Sequence, residues 1–155
     1  ISQPFIVAIM TEALQLKGRE KILEVGTGSG YQAAILAELA DQVYSIERLP
    51  SIAKRARKIL DQLKYSNIVI TIGDGTLGWK EHSPYDGIIV TAASPYAPNT
   101  LLEQLTIGGR LIIPLGDEFT QDLTLYTKET KDNYNKESYG GCRFVKLIGE
   151  KGWKE

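Results

Sequence analysis

The chain has 155 residues, 43% of them hydrophobic and 24% charged, proportions of an ordinary globular domain large enough to bury its own core. A formal charge of -1 excludes the broad basic field that a nucleic-acid backbone or an anionic membrane selects. One cysteine, Cys142, excludes an internal disulfide and a cysteine-built metal cluster.

No apolar run is long enough to span a bilayer, and the start lacks the charged and apolar regions of a signal peptide. The expectation is one domain over residues 1–155, cytoplasmic and monomeric, with no metal, membrane or nucleic-acid partner. The chain opens Ile1-Ser2-Gln3-Pro4 without an initiator methionine, which reads as a piece of a longer protein or a processed form.

Pro4 suits the first turn of a helix carrying Ile6, Val7, Ile9, Met10, Ala13 and Leu14 at helical spacing, with Gly18 beyond its end. Ile22-Leu23-Glu24-Val25 then reads as a buried strand that runs into Gly26-Thr27-Gly28-Ser29-Gly30 and a helix from Tyr31 to Leu39. Strand, glycine turn and helix start form the crevice at which open parallel sheets bind nucleotides. A dinucleotide fold wants a third glycine three positions after Gly28, where Tyr31 stands, so a pyrophosphate ligand loses ground. Glu24 is an acid inside a buried strand, costly unless it meets a partner such as an ammonium group at the sheet's carboxyl edge. A lone Gly-x-Gly turn also occurs without any ligand, and the two readings weigh evenly on this motif alone.

Val43-Tyr44-Ser45-Ile46 is a second strand ending at Glu47, 21 positions after Gly26, where a carboxylate holds ribose hydroxyls in related crevices. The competing reading pairs Glu47 with Arg48 or Arg55 on the surface. Pro50 opens a helix to about Leu63 with Ile52, Ala53, Ala56, Ile59 and Leu60 inward and a basic outer face. Ile68 to Ile72 is a strand followed by Gly73-Asp74-Gly75-Thr76, either a simple turn or a carboxylate presented to an exocyclic amine. Tyr85 to Val90 delivers Thr91-Ala92-Ala93 to the same edge, Pro98 to Leu105 is a short helix, and Gly108-Gly109 turns into a strand over 110–114. Alternating strands and helices predict a doubly wound, mostly parallel Rossmann-like α/β sheet. Leu123–Thr127 and Arg143–Ile148 are expected to close it as an antiparallel hairpin whose loop runs from Lys128 to Tyr139.

Glu24-x-Gly-x-Gly-x-Gly30 resembles the first motif of S-adenosylmethionine-dependent methyltransferases. Ile1-Ser-Gln-Pro4, Glu24–Tyr31, Ser45-Ile-Glu-Arg48, Gly73-Asp-Gly-Thr76 with Gly78-Trp79, Val90-Thr-Ala-Ala93, Gly108-Gly-Arg-Leu111 and Arg143-Phe-Val145 together resemble the protein-L-isoaspartate O-methyltransferase family. The resemblance implies a repair enzyme that moves a methyl group from S-adenosyl-L-methionine to the carboxylate of L-isoaspartyl residues in damaged proteins, releasing S-adenosyl-L-homocysteine. It implies Ser2 as the hydroxyl beside the reacting carboxylate, although Ser2 also fits the helix cap before Pro4. The cofactor residues it implies are Ile1, Ser2, Glu24, Gly26, Thr27, Gly28, Glu47, Arg48, Asp74, Gly75 and Thr91, with Glu47 on the ribose and Asp74 and Gly75 at the adenine.

Two departures are visible: Lys64 stands where the family usually has glycine and Lys146 where it has proline, both expected away from the crevice. The family also carries an N-terminal helical segment ahead of Ile-Ser-x-Pro, so a cofactor-binding core without turnover is the alternative reading. A small-molecule O-methyltransferase is another. A base-amine methyltransferase is disfavoured, because Thr91-Ala-Ala-Ser-Pro95 lacks the Asn/Asp-Pro-Pro-aromatic motif and the chain has no basic excess.

Overall fold

The structure is a computed structural model describing residues 3–155, so the expectations placed on Ile1 and Ser2 lie outside the described residues. Helix α1 (Pro4–Ala13) begins on its proline and buries Val7, Met10, Thr11 and Ala13. Along the chain come β1 (Lys21–Val25), α2 (Tyr31–Leu39), β2 (Gln42–Glu47), α3 (Pro50–Gln62), β3 (Ile68–Ile72), β4 (Tyr85–Val90), α4 (Asn99–Leu102), β5 (Leu105–Gly116), β6 (Gln121–Lys128) and β7 (Tyr134–Cys142). The strands form one seven-stranded sheet in the order β3-β2-β1-β4-β5-β6-β7. The first five run parallel and β6 and β7 antiparallel, the predicted α/β architecture.

Both faces of the central strands are covered, which is why they read as continuous apolar runs. Side chains alternate between two cores: Ile22, Val43, Ile89 and Ile112 pack with Met10, Ala33, Leu36 and Leu60 from the helices. Leu23, Val25, Ile46, Ile88, Val90, Leu111 and Ile113 pack with Leu101, Leu102 and Tyr85 on the other side. Period-two alternation puts Glu24 on the face of Ile22, level with Ser45 of β2 and Ile89 of β4.

The C-terminal third departs from expectation. Helix α4 spans only Asn99–Leu102, and β5 starts at Leu105. The predicted turn at Gly108-Gly109 is instead a bulge inside β5, where the pairing with β4 steps from Tyr85–Leu105 to Gly87–Arg110. The hairpin partner of β6 is not 143–148 but β7, which takes up the second half of the stretch expected to be loop. As an edge strand exposed on both faces, β7 has no hydrophobic alternation to betray it. Residues 143–148 run over the carboxyl edge of the sheet, held to Ala93 on both sides: Ala93 N donates to Val145 O and Leu147 N to Ala93 O, each at 2.7 Å.

On α3, Ala53, Ala56 and Leu60 are buried as expected, but Ile59 lies at the rim of the stripe and is 40% exposed. Lys64 closes this helix in the left-handed region, φ 65°. A glycine there would avoid the clash of Cβ with the following carbonyl, and the lysine carries that strain.

Candidate functional site

The site is built where β1 ends. Gly26 adopts φ 98°, and a Cβ there would overlap Thr91 Oγ1 at the end of β4. Only glycine allows both the dihedral and the approach. The Thr91 hydroxyl lies 2.7 Å from Gly26 O and 3.1 Å from Val25 O, so it bolts the turn to β4. Gly26 N donates to Ile46 O at 2.8 Å and Gly28 N to Glu47 Oε1 at 2.9 Å, tying the same turn to β2.

Two acids stand at adjacent strand ends. Glu24 is fully buried; Ser45 Oγ donates to its Oε1 at 2.6 Å, and Thr27 Oγ1 lies 2.6 Å from Ser45 Oγ. Because Ser45 gives its one proton to Glu24, Thr27 is the donor in the second bond. Oε2 of Glu24 has no partner among the described residues. Burial pushes the Glu24 carboxyl up to about 8, helped by the negative charge of Glu47 and opposed by the Ser45 hydrogen bond. Glu47 is 8% exposed, and its second oxygen accepts Leu49 N at 3.1 Å, so backbone amides on both sides fix its orientation.

The far wall comes from the C-terminal segment. Gly75 and residues 143–148 enclose, with the glycine turn and both acids, a cavity of about 430 Å³. Val7 and Met10 of α1 and Tyr31 and Gln32 of α2 form its floor. The segment is pinned from outside the cavity: Gln121 Oε1 accepts Phe144 N at 2.8 Å, Arg143 Nε donates to Phe119 O at 3.0 Å, and Lys146 pairs with Glu118 at 2.8 Å. Asp74 anchors the continuation of this segment at Glu150. Its Oδ2 accepts Glu150 N at 2.9 Å, and its Oδ1 takes Thr76 N and Thr76 Oγ1 at 2.9 and 2.6 Å. Burial opposes ionisation of Asp74, but these hydrogen bonds, with Lys154 nearby, hold its carboxyl below the usual range.

Of the residues expected to bind cofactor, Glu24, Gly26, Thr27, Gly28, Glu47, Arg48, Gly75 and Thr91 line this one cavity. The Asp74 carboxylate stands behind Gly75, occupied by Thr76 and Glu150. Arg48 turns its guanidinium outward to Glu155 at 3.1 Å. Lys146, expected away from the crevice, lines it, because 143–148 is a strap and not a hairpin strand. The contribution of Phe144, Val145 and Leu147 was missed for the same reason; the family-like block containing Phe144 and Val145 was the one available signal. His82 is outside the cavity, stacked on Tyr44 with ring centroids 4.3 Å apart.

A buried carboxyl oxygen without a partner among the described residues, on a residue that lines a cavity, calls for a donor or cation from a ligand. An ammonium group on a ligand would meet that need at Glu24. Glu47, held by the glycine turn, stands at the end of β2, where an acid could take the hydroxyls of a ribose.

The family model of protein-L-isoaspartate(D-aspartate) O-methyltransferase matches residues 1–152. The chain is 64% identical to a protein-L-isoaspartate O-methyltransferase of Syntrophus aciditrophicus (strain SB), over 99% of this chain and 71% of that protein. It is 59% identical to one of Dictyoglomus turgidum (strain DSM 6724 / Z-1310), over 100% of this chain and 70% of that one. A solved protein-L-isoaspartate O-methyltransferase superimposes with a TM-score of 0.90 at 31% identity, covering 98% of this chain and 49% of its own. A Plasmodium falciparum structure described under the same family name, in complex with S-adenosyl-L-homocysteine, gives 0.83 at 26% identity, covering 96% of this chain and 75% of its own. The chain thus spans about half the length of the first structure and 71% of the Syntrophus protein. With its family model matching over residues 1–152, the chain belongs to the protein-L-isoaspartate(D-aspartate) O-methyltransferase family.

Proposed function

We propose that this chain is the methyltransferase domain of a repair enzyme, moving a methyl group from S-adenosyl-L-methionine to the side-chain carboxylate of L-isoaspartyl residues in proteins. The observation that carries the reading is the cavity at the end of β1, where a buried acid with one oxygen unpartnered among the described residues and a second, amide-held acid meet in a chain of this family. When bound, the cofactor supplies an electrophilic methyl group on a sulfonium, which a carboxylate oxygen takes in an in-line displacement that leaves S-adenosyl-L-homocysteine.

The residues have orienting work to do. A carboxyl with an ordinary value near 4 is already ionised at neutral pH, so the acceptor needs no base. Glu24 fixes the ammonium end, Glu47 the ribose, and the glycine turn lets the backbone pass beneath the methionine portion. Gly75 borders the adenine region, with Asp74 shaping that wall through its bonds to Thr76 and Glu150. Thr27 and Thr91 act through the turn they stabilise, Thr27 by way of Ser45 and Thr91 by way of the Gly26 carbonyl. The strap over 143–148 lines one side of the crevice, and whatever water it holds back favours a reaction that annihilates an anion against a cation. Ile1 and Ser2 precede Gln3 at α1, and Ser2 is assigned, on family grounds, the hydroxyl that orients the acceptor carboxylate.

The partners are isoaspartyl peptides and proteins, with the chain acting as a cytoplasmic monomer. No helix of the described residues is long and apolar enough to cross a membrane. Single-turnover transfer of labelled methyl to an isoaspartyl peptide, beside the matching aspartyl peptide, tests the reading. Label on the isoaspartyl form alone is expected. Label on both peptides, or on neither while cofactor binds, would overturn it, the last outcome leaving a binding core without turnover.

A further inference from the structure

The charges around the cavity are unbalanced. Glu24 and Glu47 both belong to it, and Oε2 of Glu24 meets no donor among the described residues. Three cationic residues line the same cavity, yet each directs its charge or donor elsewhere: Arg48 to Glu155, Lys146 to Glu118 and Arg143 to the Phe119 carbonyl. Helices α1, α2 and α3 contribute Val7, Met10, Tyr31, Gln32 and Ile52, none of them a carboxylate, ammonium, guanidinium or imidazole. The end of β4 contributes Thr91 and Ala92. Ser45, the only group bonded to Glu24 among the described residues, offers one proton, and it goes to Oε1. A carboxylate at Oε2 would therefore be an uncompensated buried charge beside a second acid, the arrangement a protein relieves by keeping one acid protonated.

We propose that Glu24 carries a proton on Oε2 in the cofactor-free chain and releases it to solvent when the ammonium end of S-adenosylmethionine or S-adenosylhomocysteine enters the cavity. Binding is then an exchange of one cation for another: the Oε2–H bond breaks, the proton goes to the buffer, and the carboxylate left behind pairs with the ligand ammonium. The inference rests on the cofactor assignment above and adds to it the protonation state of the free site. Burial raises the Glu24 carboxyl to about 8, with Glu47 adding to the rise and Ser45 opposing it, so the acid form dominates at pH 6.5. An α-amino group, ordinarily near 7.7–8.0, is still an ammonium there. His82, the one histidine, stands apart against Tyr44 and contributes no proton to the exchange.

This proton sets the sign of the pH dependence. Because the free chain holds the extra proton, cofactor affinity rises with pH below the Glu24 value, approaching tenfold per unit between pH 6 and 7. Without cofactor the same proton favours the folded state. Its folded value is raised, so stability from Glu24 is full below the ordinary value of 4.5 and is lost as pH rises towards about 8.

The test is isothermal titration of the chain with S-adenosyl-L-homocysteine at pH 6.5 in two buffers of different ionisation enthalpy, which counts protons exchanged without any catalysis. About one proton released per ligand bound is expected, as is nearly tenfold tighter binding at pH 7 than at pH 6. Glu24→Gln, which keeps an acceptor for Ser45, should bring the proton count to zero and flatten the pH dependence. Binding with no proton released from the unmodified chain would overturn the proposal while leaving the cofactor assignment standing. No binding at all would overturn both.

Discussion

The two walls of the cavity are made in different ways. The glycine-turn wall is assembled locally: Glu24, Gly26, Thr27 and Gly28 lie within five residues, and their main partners are the ends of the adjacent strands. The strap wall is assembled at long range. Residues 143–150 take their position from Ala93, Gln121, Glu118 and Asp74, each more than twenty positions away along the chain. One wall is therefore rigid by backbone geometry, the other by a handful of separate side-chain grips. Single substitutions should affect them differently.

The largest effect is expected at Gly26. Gly26→Ala imposes the positive φ on a residue with a Cβ and drives that Cβ into Thr91, so a loss of about 3 kcal/mol is expected in urea unfolding. Gln121→Ala should break the opposite wall selectively. It strips a partner from Phe144 N and from the Asp117 carbonyl, worth about 2 kcal/mol, and amide hydrogen exchange should accelerate at 143–148 while residues 21–31 keep their protection. Equal acceleration in both walls would show that they are not independent.

Asp74 sharpens the contrast through pH. Its folded value is lowered, so its contribution is full above the ordinary value of 3.8 and is lost as pH falls from there through the lowered folded value. Asp74→Asn should cost about 1 kcal/mol at neutral pH and leave the acid unfolding curve shallower. A variant curve parallel to the parent would contradict this role. The smallest change is a gain. Lys64→Gly, far from either wall, relieves the left-handed φ of 65° and should add about 0.5–1 kcal/mol, a few degrees of melting temperature, without changing cofactor affinity.

The same division explains what could be read from residue order. β1 to β4, α2 and α3 are legible because buried parallel strands are apolar runs and the helices between them are amphipathic or small-faced. Glu24 and Glu47 stand out because an acid at the end of such a run is anomalous. The strap does not stand out: Arg143 to Ile148 has the alternation of a strand, and nothing local shows that its partner is Ala93 and not β6. β7 escaped for the opposite reason, since an exposed edge strand containing Asn135, Lys136, Glu137 and two glycines carries a loop's composition. The bulge at Gly140, φ 98°, which sets two residues against Leu123, is likewise fixed by pairing and not by composition.

The most direct check on the two-walled site is a titration of the isotope-labelled chain with S-adenosyl-L-homocysteine, followed through its backbone amide resonances. Shifts should concentrate at Glu24–Gly30, Glu47–Leu49, Gly75 and 143–148, leaving β7 and the outer face of α3 unmoved. Shifts confined to one wall, or gathered instead in the separate groove lined by Lys54, Lys58, Ile70 and Ile72, would contradict the account.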